Sequence, residues 1–171
     1  MQGIPTIVDI EASGFGANSY PIEVGVAMAD GKTACYLVCP HTSWTHWDPA
    51  SERLHGLRRE QLEKFGRPLA EVARSLNYLL GTQTVYSDAW GVDQSWMSLL
   101  FEFAGVRQRF RLEALQCLFC EQQYAVWNRT LEQVFAEYAW PRHRASNDAQ
   151  AIQQAFLRSA QSTSSHSQFF S

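Results

Sequence analysis

Apolar and polar positions in the first forty residues follow the two-residue period of strands. Ile4 to Ile10 is a short apolar, β-rich run that predicts a buried strand, and Ile22 to Met28 predicts a second. Asp30-Gly31 carries hairpin-turn chemistry, and Thr33 to Cys39 returns as a third strand. A polar and aromatic loop, His41 to Pro49, comes next, and the period becomes helical near Ala50. Leu69, Val72, Ala73, Leu76, Leu79 and Leu80 make one apolar stripe that Gly81 ends. Gln83 to Ser87 predicts a fourth strand, and Asp93 to Phe103 a helix with Trp96, Leu99, Leu100 and Phe103 on one face. Phe110 to Leu112 predicts a short fifth strand. Helices are expected over Glu113 to Tyr124 and Thr130 to Tyr138, before a break at Pro141. Ser146-Asn147 stands where an N-cap belongs, ahead of a last helix through Ala151, Ile152, Phe156 and Leu157. This order describes an α/β chain: a hairpin unit extended by strand–helix crossovers.

Composition narrows the picture. A chain of 171 residues suits one domain, expected over residues 1–158, with the Ser- and Gln-rich segment 159–171 as a disordered tail. An apolar share of 46% excludes global disorder, and a net charge of −3 excludes gripping nucleic acid by bulk positive charge. A short nucleic-acid end remains open as a ligand, because metal ions can supply positive charge locally. No apolar run approaches the roughly 20 residues of a membrane span. Residues 1–10 lack the features of an export signal, so a cytoplasmic protein without membrane contact is expected. Cys117-x-x-Cys120 has the form of half a zinc clip, but Cys35 and Cys39, spaced i and i+4 on a strand, are too far apart to complete it. Buried free thiols are the expectation for all four cysteines.

The acidic residues carry the chemistry. Asp9 and Glu11 stand at i and i+2 near the end of a buried strand, so alternation points both to one side. Two carboxylates there are costly unless a cation or partners neutralise them, or unless the strand ends at Val8 and both are solvated. Asp93 and Asp148 open helices, where the helix dipole alone favours an acid by about 0.3–1 kcal/mol. His143, between Arg142 and Arg144, reads in isolation as a solvated loop residue. It is the ordered conjunction of these residues that points further.

Three segments together resemble the exonuclease motifs of the DEDDh 3′–5′ exonucleases, relatives of the polymerase proofreading subunit, RNase T and oligoribonuclease. They are Ile7-Val8-Asp9-Ile10-Glu11-Ala12-Ser13-Gly14-Phe15, Val85 to Asp93, and His143 to Asp148. Leu54-His55-Gly56-Leu57 is similar to the His-Gly-Ile segment of many members. The resemblance implies a ribonuclease H-like fold with a five-stranded mixed sheet flanked by helices. It implies hydrolysis at single-stranded 3′ ends with release of nucleoside 5′-monophosphates. DNA is favoured, RNA stands close behind, and a non-catalytic nucleic-acid-binding module is the rival from another class. Two divalent cations, Mg²⁺ or Mn²⁺, would serve as cofactors, hard ions that prefer carboxylate oxygen. By the same resemblance Asp9 bridges both ions, Glu11 and Asp148 complete one site with the attacking water, and Asp93 holds the second ion. His143, on a mobile loop, is the general base, so Glu11 and His143 are the catalytic groups. Ala12, Ser13, Gly14, Phe15 and His55 face the terminal nucleotide. The oligomeric state is open, a homodimer included.

The chain departs from the pattern in places. Thr is usual where Ala12 or Ser13 stands, and the second segment commonly reads His-Asn-x-x-Phe-Asp. Here Ser87-Asp88-Ala89-Trp90-Gly91-Val92-Asp93 has one residue more, which makes Asp88 a rival to Asp93 for the second ion. Trp44, Trp47 and Trp90 match no assigned position of the family pattern, and stacking on nucleotides, core packing and a partner surface are all open to them.

Overall fold

The structure, a computed structural model, describes residues 3–166. Five strands form one mixed sheet: β1 (Ile7–Ala12), β2 (Pro21–Ala27), β3 (Thr33–Leu37), β4 (Thr84–Ser87) and β5 (Arg111–Ala114), in the order β3-β2-β1-β4-β5. The first three run antiparallel, whereas β4 joins β1, and β5 joins β4, in parallel. Parallel pairing requires crossovers. Helix α3 (Leu69–Leu80) leads into β4 and α4 (Trp90–Ala104) into β5. Two short helices, α1 (Pro49–His55) and α2 (Arg59–Phe65), precede them, and α5 (Glu121–Tyr138) and α6 (Ala145–His166) complete the chain. This is the ribonuclease H-like architecture the sequence predicted.

Alternation along β1 sorts its side chains onto two cores. Val8, Ile10 and Ala12 join Ile22, Val24 and Val26 of β2 beneath α3 and α4, where Val72, Leu76, Leu80, Met97 and Leu100 are fully buried. Ile7 and Ala27 face the other way, onto Trp127 and Val134 of α5 and Ala149, Ile152, Ala155 and Phe156 of α6. The antiparallel register pairs Ile7 with Ala27, Asp9 with Gly25 and Glu11 with Glu23. The α6 side of the sheet is thus apolar at one end and acidic at the other.

Several local expectations are revised. Residues 113–138 do not form two helices: Glu113 belongs to β5, a 3₁₀ turn covers Leu115–Leu118, and α5 is continuous from Glu121 to Tyr138. Nothing between Tyr124 and Thr130 breaks a helix, and Gln123, Trp127 and Val134 make one continuous buried stripe. Helix α6 begins at Ala145, before the expected Ser146-Asn147 cap. It also runs past the boundary at residue 158, with Ser159 fully buried and its hydroxyl accepting from Gln123 Nε2 at 3.2 Å. The last part of the expected tail, residues 167–171, lies outside the described residues. The thiols are not buried: Cys35, Cys117 and Cys120 are exposed and Cys39 is half-buried, so none fills a core gap. Among the described residues, no helix is long and apolar enough to cross a membrane.

Candidate functional site

Three segments meet at the acidic end of the sheet. Asp9 and Glu11 project from the central strand, Asp93 from the first turn of α4, and Asp148 from the first turn of α6, with His143 just ahead of that helix. All five line one cleft of about 230 Å³, together with Ala12, Gly14, Phe15, Ser51, Leu54 and His55. Ligand atoms of Glu11, His143 and Asp148 lie within 4.8 Å of one another.

Close approach of α6 to the sheet makes this convergence possible. Gly25 sits opposite Asp9, and a Cβ at Gly25 would stand 2.0 Å from the carbonyl carbon of Ala145. Any side chain there would push away the turn that carries Asp148. Beyond β1, Gly14 is similarly crowded: a Cβ would meet His46 at 2.6 Å and Asp48 at 2.8 Å, and its φ of +154° suits glycine. The aromatic loop therefore packs directly on the end of the strand. Asp48 donates its N–H to Ser13 O at 2.8 Å, and its carboxylate caps α1 through Ala50 N and Ser51 N.

Burial and the mutual repulsion of crowded carboxylates both favour the protonated forms. Asp9 holds its proton well above the usual range, because of burial first and then the charges of Asp93, Glu11, Asp148 and Asp88. Burial, then Asp148 and Glu23, pushes Glu11 up to about 8. Asp148 is raised to about 6, mainly by burial, although the backbone N–H of His143 donates to its Oδ2 at 3.0 Å and opposes the shift. Asp93 is raised by burial against the opposing hydrogen bond that the Ser87 hydroxyl donates to it. His143 moves the other way, downward, through burial and the charge of Arg142, which favours its neutral ring.

The set suits a hard divalent cation. Its donors are carboxylate oxygens with one imidazole, and Asp148 Oδ1 is buried without a hydrogen-bond partner. A cation among these groups would satisfy that oxygen and reverse the repulsion that holds the protons on.

The remaining expected residues divide. Ala12, Gly14, Phe15 and His55 line the cleft, with Phe15 73% exposed at its mouth. Ser13 does not: its side chain is fully buried, accepts from Tyr20 N–H at 3.2 Å and bonds His46 Nδ1 at 3.2 Å. It is a brace between loops, and its backbone is engaged as well: its N–H donates to Tyr20 O at 2.9 Å and its carbonyl accepts from Asp48, so this position does not face the cleft. His55 Nδ1 accepts from Leu57 N–H at 3.0 Å, which leaves the proton on Nε2, buried and without a partner. Asp88 is pushed up to about 6 by burial but does not line the cleft, whereas Asp93 does. The tryptophans are packing elements: Trp44 stacks on Tyr20 at 5.1 Å, Trp47 Nε1 donates to Glu52 at 2.5 Å, and Trp90 Nε1 donates to Leu112 O at 2.8 Å.

Sequence reasoning missed Glu23, Gly25, Ser87 and Arg144, which hold the site in shape. Glu23 did carry a signal, a charge in the middle of the apolar run Ile22-Glu23-Val24. Its carboxylate is fully buried and paired with Arg144.

No protein-family model and no curated protein matches the chain. Among solved structures it is similar to E. coli exonuclease I. In complex with a dA16 oligonucleotide that protein superposes with a TM-score of 0.65 at 12% identity, over 88% of this chain and 40% of that one. The zinc-ion-bound complex with single-stranded DNA gives 0.64 at 13%, over 86% and 38%. A product-bound structure gives 0.64 at 11%, over 88% and 41%. The chain spans about 40% of the length of exonuclease I. It shares that protein's fold, the ribonuclease H-like arrangement that the resemblance of the three sequence segments implied.

Proposed function

We propose that the chain is a metal-dependent 3′–5′ exonuclease that acts on single-stranded ends, DNA in preference to RNA, and releases nucleoside 5′-monophosphates. The observation that carries this reading is the convergence of Asp9, Glu11, Asp93, Asp148 and His143, drawn from distant parts of the chain, on one cleft. Fold similarity to exonuclease I, which binds oligonucleotides in the complexes above, supports the same class.

Asp9, Glu11 and Asp148 would hold one divalent ion, and Asp9 with Asp93 the second; Mg²⁺ or Mn²⁺ suits these oxygen donors. Such ions, when bound, stabilise charge on phosphoryl oxygens and lower the pKa of a coordinated water. The chain's own groups do the rest. His143, its ring kept neutral by burial and Arg142, accepts the proton of the attacking water. Its backbone N–H on Asp148 fixes its place beside that carboxylate. Phe15, 73% exposed at the mouth, and Leu54, 52% exposed, offer apolar surface to the terminal base, with His55 also lining the cleft. The cleft's small volume and the chain's net charge of −3 favour a footprint of very few nucleotides.

Purified protein incubated with 3′- and 5′-labelled DNA and RNA oligomers, with EDTA, Mg²⁺ or Mn²⁺, tests the reading. The 3′ label should leave first as a mononucleotide, only with a divalent ion, and faster from DNA. Release of the 5′ label first, or no cleavage with either ion, would overturn it.

A further inference from the structure

Glu23 lies fully buried in the middle of β2, next to Glu11 in the sheet register. Its carboxylate does more than neutralise a cation. It accepts from Arg144 Nη2 at 2.7 Å and from Nε at 3.2 Å, and its Oε2 accepts from the backbone N–H of Ala145 at 2.8 Å. One buried side chain thus grips both the side chain of residue 144 and the backbone of residue 145. His143 precedes that grip directly and adopts a φ of +59°, a left-handed conformation uncommon outside glycine, although histidine takes it more readily than most residues. From the other side the His143 N–H is fixed on Asp148 Oδ2 at 3.0 Å.

We propose that Glu23, acting with Arg144, is the positioning residue for His143: it presets the turn that aims the imidazole at the carboxylate cluster. The inference rests on the nuclease reading above. It replaces the expectation of a mobile loop with a braced one, so the base is in place before substrate arrives. A base displaced by about 1 Å loses on the order of 10²-fold in rate. The ion pair has no comparable role in binding the oligonucleotide, since neither Glu23 nor Arg144 lines the cleft.

The test is a double-mutant cycle with Glu23→Gln, which keeps the shape of the side chain and removes its charge. Expected is a fall in kcat of about 10²-fold with KM for a DNA oligomer within about twofold of wild type. In a His143→Ala background the same substitution should change kcat less than about twofold, because Glu23 acts only through the missing ring. An equal loss in both backgrounds, or a loss confined to KM, overturns the proposal. If Glu23→Gln does not fold, Arg144→Gln breaks the same contact from a side chain that is 41% exposed. A second readout needs no activity: ¹⁵N relaxation at the His143 amide, with an order parameter of about 0.85 in wild type falling below about 0.6 in either variant. Order unchanged by both variants refutes the brace even if the wild-type protein cuts nothing. Absence of cleavage by the wild type counts against the nuclease reading alone.

Discussion

Replacing Glu11 with Gln should make the metal-free protein more stable at alkaline pH. In the folded chain Glu11 is raised from 4.5 to about 8 by burial and by the acids around it. The fold therefore holds this proton more tightly than the unfolded chain, which releases it first. Stability fully present below pH of about 4.5 is lost as pH rises to about 8. A shift of this size corresponds to a ceiling of about 5 kcal/mol at 1.36 kcal/mol per pKa unit. Relaxation of the site and entry of water reduce that to about 3 kcal/mol at pH 8, with less than about 1 kcal/mol remaining at pH 5. For a chain of 171 residues, 3 kcal/mol is about 6–12 °C in Tm. Thermal unfolding in EDTA, followed by circular dichroism from pH 5 to pH 8, measures it. Wild type and Glu11→Gln should diverge as pH rises, and Mn²⁺ should restore wild type while doing less for the variant. Equal Tm values at pH 8 in EDTA would mean that Glu11 carries no repulsion, and the case for a cation at the site would lose its electrostatic basis.

His143→Ala should lower turnover about 10²–10⁴-fold while metal binding, measured by calorimetry, persists. Asp93→Ala should abolish cleavage and Asp88→Ala should leave most of it, since only Asp93 lines the cleft; the reverse result would move the second ion to Asp88. Asp9→Ala and Asp148→Ala should each abolish cleavage without unfolding the chain, as gel assays and circular dichroism together would show. Gly25→Ala should cost about 1–3 kcal/mol or more of stability, read by urea unfolding, and should cut activity steeply, because its methyl collides with the Ala145 backbone and drives Asp148 from Asp9.

What could be read beforehand follows from which interactions are local. The period-2 pattern of β1 is local, so the shared face of Asp9 and Glu11 was legible, as were all five strands and the α3 stripe. The acids of the three segments were legible because their order along the chain resembles a family. Interactions that depend on tertiary placement were not. Ser13 offers the same hydroxyl whether it faces substrate or His46, and only the packing of the 41–48 loop decides it. Glu23 announces a buried charge but not its partner, which lies 121 residues away. Gly25 looks like any strand glycine until α6 is laid across it. The continuity of α5 was missed because polar residues around Asn128 weakened a stripe that tertiary contacts at Trp127 and Val134 sustain. Asp88 and Asp93 are both acids after β4, and the turn into α4, which carries Asp93 into the cleft, separates them.

Helix α6 seals the second core with Ala149, Ile152, Ala155 and Phe156, and its first turn also brings Asp148. Docking and assembly of the cluster are then a single cooperative event. During synthesis Asp9 and Glu11 emerge early, and the carboxylates gather only when α6 settles on the sheet, so the cluster and the second core form together.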